Sequence, residues 1–307
     1  MKKIRNEFAD TVYDIGSNDE NLVVIVGDIS HGILQPFAKK FPNRYFNIGI
    51  CEPSTVNVAA GLNKVGLTPV IHTIAPFLIE RCYEQIKLDF GYQKLSGNFV
   101  TVGGSFDYSK LGCSHHCYTD VSLMYHLKNT NIVLPGNPME FNILFKKIYS
   151  EKKINYFRIP ENSHNQNFNS NEIIFGKSVI AKKGKDLTLA VTGSQLDNAM
   201  HVALKLEKEN IHVEVLYYHT LKPFDKDTLY KSVLKTKRLI TLEELSAHDG
   251  LFNLCLKSIY NINDVQIFQM AIDEFIHGYG SYSDLCDKAG LNVEQIEKNC
   301  KNLINSQ

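Results

Sequence analysis

The chain has 307 residues, of which 44% are hydrophobic and 21% charged, and its 33 basic side chains are balanced by 33 acidic ones. That length points to two domains, and a neutral chain without a basic cluster lacks the electrostatic footprint of a nucleic-acid binder. No apolar run reaches the roughly 20 residues needed to cross a bilayer, so neither nucleic acid nor membrane is an expected partner. The opening MKKIRNEFADTVYDIG has a charged head but no apolar segment behind it, unlike a signal peptide. The seven cysteines are odd in number and scattered, which is the usage of reduced thiols and predicts a cytoplasmic protein. Cys113 and Cys117 bracket His115 and His116, but the spacing is not that of a structural zinc site, and no metal is expected to be held by this chain.

Taken in order, short apolar runs alternate with helical periodicity. Residues 22–26 (LVVIV) read as a buried parallel strand running into Gly27-Asp28, and 54–62 (STVNVAAGL) as a tightly packed helix of small residues. A strand at 70–73, a helix over 77–90 and strands at 99–102 and 132–134 follow. Residues 161–172 (ENSHNQNFNSNE) are polar, rich in asparagine and without period. They separate a first domain, 1–162, from a second, 173–307, with the linker at 163–172. Alternation then resumes with strands at 187–191, 212–216 and 239–242 and an amphipathic helix at 197–209. The predicted fold class is α/β: two three-layer α/β/α domains, each with a mostly parallel sheet. In such sheets functional groups gather at the carboxyl ends of strands, where Asp28 and Gly103-Gly104 fall.

The most informative stretch is 41–62, FPNRYFNIGICEPSTVNVAAGL. Taken alone, Glu52 is an acid at the start of a helix, where a carboxylate suits the helix dipole. The stretch closely resembles the pyrimidine-binding domain of the transketolase family, FP-x-R-x-x-N-x-G-I-x-E before a small-residue helix. Thr73-Ile74-Ala75-Pro76-Phe77-Leu78 resembles the family's aromatic-bearing loop. Arg81-Cys82-Tyr83-Glu84-Gln85-Ile86 is similar to its R-A-x-E/D-Q-I helix, and Gly112-Cys113-Ser114-His115-His116 with Asp120 to its G-x-[ST]-H-[QH]-x-x-x-D motif. Thr220-Leu221-Lys222-Pro223-Phe224-Asp225 and Thr241-Leu242-Glu243-Glu244 carry the likeness through the second domain.

The resemblance implies thiamine diphosphate as cofactor. It implies that Glu52 is the carboxylate on the cofactor's pyrimidine nitrogen, that Phe77 is the ring packed on the pyrimidine, and that Asp28 and Arg81 line the cofactor pocket. His115 corresponds to a histidine that contacts a substrate oxygen, and Arg158 to an arginine that binds a substrate phosphate. Bland readings stand beside these: core packing for Phe77, a structural pair for the two histidines, an ordinary ion pair for Arg158, a structural role for Asp28.

Two features depart from the family pattern. The G-D-G motif that holds Mg²⁺ and the diphosphate does not occur in this sequence, which implies an N-terminal transketolase-type subunit as partner, in an α2β2 assembly. The acidic residue expected four positions before His115 is Leu111, and the usual histidine twelve positions before it is Gly103. A leucine cannot read a hydroxyl, so a modified sugar substrate, a deoxy or nucleotide-linked sugar, or pyruvate as donor is expected in place of ordinary ketol transfer between pentose phosphates. Competing readings are a 1-deoxyxylulose-5-phosphate-synthase-like enzyme, the β subunit of a 2-oxoacid dehydrogenase decarboxylase, and a degenerate scaffold subunit.

Overall fold

The computed structural model describes residues 2–306. The first sheet is built on β1 (Leu22–Val26), β2 (Tyr45–Asn47), β3 (Thr68–Ile74), β4 (Gly97–Val102), β5 (Thr130–Val133) and β6 (Ile154–Ile159). These six strands run parallel in the order β5-β6-β4-β3-β1-β2. All five residues of β1 and all six of β4 and of β6 are buried, as expected for strands covered on both faces. Helices α1 (Ile4–Gly16), α2 (His31–Lys40) and α3 (Glu52–Lys64) accompany the first strands. Three more, α4 (Tyr83–Gln85), α5 (Asp120–His126) and α6 (Pro138–Ile148), come after them.

The second sheet combines β7 (Val179–Lys182), β8 (Leu187–Val191), β9 (Val213–Tyr217), β11 (Arg238–Ser246) and β12 (Gln266–Ile272) in the order β12-β11-β8-β9-β7. Only β7 is antiparallel to its neighbour. Helices α7 (Leu196–Glu207), α8 (Lys226–Thr236), α9 (Leu251–Ile259), α10 (Tyr282–Lys288) and α11 (Val293–Asn305) complete this half. The α/β class with two mostly parallel sheets is therefore the observed one. One strand of the second half, β10 (Thr220–Lys222), leaves its neighbours and pairs antiparallel with β5, making the first sheet seven-stranded.

The helix expected over 77–90 is a broken one. A π turn at Pro76–Glu80, the short α4 and a second π stretch at Ile86–Tyr92 replace it. The apolar period survives, with Leu78, Ile79, Cys82, Ile86 and Phe90 buried, but each wide turn inserts an extra residue and rotates the chain beyond it. Phe77 consequently sits half-buried at the surface of the bundle instead of inside it.

The polar segment between the halves is pinned. His164 is buried and its Nε2 lies 2.9 Å from Glu140 Oε1. Glu140 Oε2 accepts from the Gly136 amide at 2.7 Å and from the Tyr217 hydroxyl at 2.7 Å. Burial alone would raise the Glu140 pKa; the His164 contact and the other donors outweigh it and hold the carboxyl below its ordinary value.

Candidate functional site

The motif at 41–52 divides its labour. Arg44 donates to the carbonyls of Gly16 at 2.8 Å and Asp19 at 2.7 Å, closing the end of α1. Asn47 bridges the carboxyl ends of two adjacent parallel strands: its Oδ1 accepts from the Asp28 amide at 3.0 Å and the Gly49 amide at 3.1 Å, and its Nδ2 donates to Asp28 Oδ1 at 3.1 Å. Asp28 is itself exposed, in left-handed backbone with φ 53°. These side chains shape the loop that delivers Glu52 to the first position of α3, with Pro53 behind it in a position that favours helix initiation.

Glu52 is 2% exposed, yet among the described residues its only side-chain hydrogen-bond partner is Arg81, whose Nη1 lies 2.7 Å from Oε2. Arg81 comes from just beyond the first π turn and its side chain is 45% exposed. Its guanidinium carbon stands 4.4 Å from the centroid of the Phe77 ring. The same ring meets His115 edge-on, with centroids 5.1 Å apart. Glu52, Arg81, Phe77 and His115, from three separate segments, thus form one contiguous group. The imidazole is oriented by Ser114, whose Oγ is 3.0 Å from Nδ1, and by the Tyr108 ring at 6.2 Å.

Gly103 has φ 70°, and a Cβ there would collide with the Tyr108 ring. A histidine at this position would need both a different backbone and the space Tyr108 fills. Leu111 is 51% exposed, two residues after buried Ser109. Tyr108 is the residue that the sequence pattern does not single out. Only the collision with Gly103 marks it as the group standing where the family's histidine is expected.

Arg158, at the end of β6, faces a different space. Its Nε lies 3.3 Å from Asp120 Oδ2, and its Nη2 donates to the carbonyls of Cys117 at 3.4 Å and Glu244 at 3.3 Å. Burial would lower its pKa, but Asp120 and its other neighbours raise it above the ordinary value. Gly104 is required beside it, since a Cβ would run into the guanidinium. Arg158 lines a cavity of about 30 Å³ between the two sheets with Asp107, Thr192, Ser194 and Glu244, room for about one water. Burial raises the carboxyls of Asp107, to about 8, and of Glu244. The adjacent His116 is 4% exposed, with Nδ1 2.9 Å from the Tyr118 hydroxyl and Nε2 without a partner among the described residues. Burial, then the neighbouring His115, lowers its pKa. The two adjacent histidines therefore differ in kind, one facing outwards and one enclosed.

This group combines an enclosed carboxylate at a helix start, a half-exposed aromatic face and an outward imidazole. It can bind a flat heterocycle by its edge and its face and present a histidine to whatever that heterocycle carries.

Comparison with known proteins shows the family of the chain. The family description "Transketolase, pyrimidine binding domain" matches residues 1–166 and "Transketolase, C-terminal domain" matches 176–296. The chain is 28% identical to one subunit of the apulose-4-phosphate transketolase of Phocaeicola vulgatus over 305 residues, covering 97% of this chain and 96% of that one. It is 25% identical to the 6-deoxy-6-sulfo-D-fructose transketolase subunit SqwH of a Clostridium species, covering 95% and 92%. A 1-deoxy-D-xylulose-5-phosphate synthase of Clostridium tetani is 29% identical, but this chain spans 48% of it. Among solved structures, a split gene transketolase in an inactive beta4 tetramer superposes with a TM-score of 0.87 at 25% identity, with 98% of both chains covered. The chain belongs to the transketolase family of transferases, and it carries the pyrimidine-binding and C-terminal domains in the arrangement of a split-gene subunit.

Proposed function

We propose that this chain is the C-terminal subunit of a thiamine-diphosphate-dependent transketolase that moves a two-carbon unit between sugar-type substrates. A separate subunit would carry the G-D-G motif and supply most Mg²⁺ ligands, and the two chains would assemble as α2β2. The observation that carries this reading is Glu52: a carboxylate that is 2% exposed at a helix start, with capacity for a further partner and an aromatic ring beside it. Those two features fit an aminopyrimidine, which needs an acceptor for a ring nitrogen and a flat surface for its face.

When bound, thiamine diphosphate supplies a carbon nucleophile able to hold the transferred unit. This chain's residues would do the rest. Glu52 would hold a proton at the pyrimidine nitrogen in a place shielded from water, Phe77 would fix the plane of the ring, and Asp28 and Arg81 would border the same pocket. His115 would meet the substrate oxygen that gains charge. Leu111 puts an apolar side chain, and Gly103 leaves room that the Tyr108 ring fills, where an acid and a histidine would otherwise read a hydroxyl, which favours substrates modified there. Arg158 reaches a substrate phosphate only by releasing Asp120. The seven free cysteines suit a reducing, cytoplasmic setting.

The test is calorimetric titration of thiamine diphosphate and Mg²⁺ into this chain, a G-D-G-bearing partner and their mixture, with a panel of ketoses and pyruvate assayed alongside. Binding confined to the mixture, with ketose turnover lost in Glu52→Gln, is the expected result. Carbon dioxide release from pyruvate would favour the synthase-like reading. Tight binding by this chain alone would overturn the two-subunit division.

A further inference from the structure

Arg81 does two things at once. One nitrogen of its guanidinium reaches Glu52 Oε2 at 2.7 Å, and its plane lies close to Phe77, 4.4 Å from guanidinium carbon to ring centroid. These are the two surfaces that a flat, nitrogen-rich heterocycle would need. A guanidinium and a protonated aminopyrimidine are both planar, delocalised and able to donate N–H to a carboxylate while resting on an aromatic face. Oε1 of Glu52 stays free among the described residues, but the guanidinium takes Oε2 and the face of the Phe77 ring, so a heterocycle that rests on that face and reaches Glu52 needs the space the guanidinium fills.

The asymmetry of burial shows which partner is fixed. Glu52 is held in the fold at 2% exposure, whereas Arg81 is 45% exposed. The guanidinium can therefore swing into solvent without disturbing the core. A wholly unpartnered carboxylate at that depth would be costly, so a removable internal cation keeps the fold intact until a ligand arrives.

We propose that Arg81 is a built-in placeholder for the pyrimidine ring: in the free chain it occupies Glu52 and Phe77, and ligand entry displaces it. This rests on the cofactor reading above, and it adds a competition that the reading does not require. Ligand entry becomes an exchange of one cation for another at Glu52, so the site is never left as a bare buried charge.

The experiment uses the full chain, alone and in complex with its partner subunit, and 4-amino-5-hydroxymethyl-2-methylpyrimidine as the probe. Arg81→Met keeps the unbranched stem over Phe77 and removes the guanidinium; Arg81→Lys keeps a charge without the planar fork. The probe is expected to bind the Met variant about tenfold more tightly than the wild type, the size of one charge-assisted contact no longer displaced. The Lys variant should lie between, and the gain should vanish in Glu52→Gln, where the contested acceptor is weakened. Circular dichroism and melting of each variant establish that it is folded. Equal probe affinity in wild type and Met variant would overturn the placeholder while leaving the cofactor reading intact. Weaker binding in the Met variant would overturn it too, making Arg81 part of the permanent ligand cradle. Failure of the probe to bind any folded variant or the complex would overturn both.

Discussion

Glu52 and Glu140 are both buried carboxylates in the first turn of a helix, and they are opposites. Glu140, in α6, accepts from the Gly136 amide, the Asn137 side chain, the Tyr217 hydroxyl and the buried His164, so its neighbours on every side are fixed protein groups. Glu52, in α3, has Arg81, which is half in solvent. A carboxylate saturated from three segments holds the two halves of the chain together. One left with a single movable partner is prepared for exchange. Burial alone does not separate a structural acid from a functional one; the mobility and number of its donors does.

That distinction can be tested by measurement. Glu140→Ala should cost about 3–5 kcal/mol in denaturant unfolding, because it strands His164, Tyr217 and an amide without an acceptor. A loss under about 1 kcal/mol would show that the clasp is not structural. Glu52→Gln should do the reverse, lowering turnover of the partnered enzyme by at least about a hundredfold while the melting temperature stays close to that of the wild type. Similar stability losses in the two variants would remove the contrast.

Glu243 gives a third case. Buried in β11, it accepts from the amides of Leu251 at 2.5 Å and Phe252 at 2.9 Å, at the start of α9. Burial nevertheless raises its pKa from the ordinary 4.5 to about 7, against the pull of those amides. Between these values the folded chain binds more protons than the unfolded one. Its contribution is therefore fully present below about 4.5 and is lost as pH rises through about 7. Glu243→Gln should flatten stability against pH across that window, by on the order of 3 kcal/mol, whatever its cost at a single pH. The smallest change belongs to Leu111→Asp. Being half-exposed, it should alter stability by no more than about 0.5 kcal/mol, and its effect should lie in improved turnover of donors bearing the hydroxyl an acid would read.

Much of this was legible in the sequence. The run of five apolar residues at 22–26 read as a buried parallel strand, and the small residues at 54–62 read as the helix that starts two residues earlier, at Glu52. The motif placed Glu52, Phe77, Arg81 and His115 on the same short list, and they are neighbours. The features that could not be read depend on distant partners. Glu140 comes three residues after Asn137 in a helix-start pattern, which predicts a local cap and nothing about His164 or Tyr217. Two π turns look like one helix because the apolar spacing is tolerant of an extra residue. The ordinary ion pair read for Arg158 had no partner to name and no depth, because Asp120 is 38 residues away in sequence.

The crossing of β10 onto β5 has a consequence for handling the protein. It works as a stitch sewn from the second half into the first. Cutting the chain within 163–172 would not yield two self-sufficient pieces: the leading piece would expose the hydrogen-bonding rim of β5, and the trailing one would carry a three-residue tab with no sheet to join. Mixed in equal amounts, the pieces should seek each other through that tab; expressed singly, the first should self-associate along its open rim.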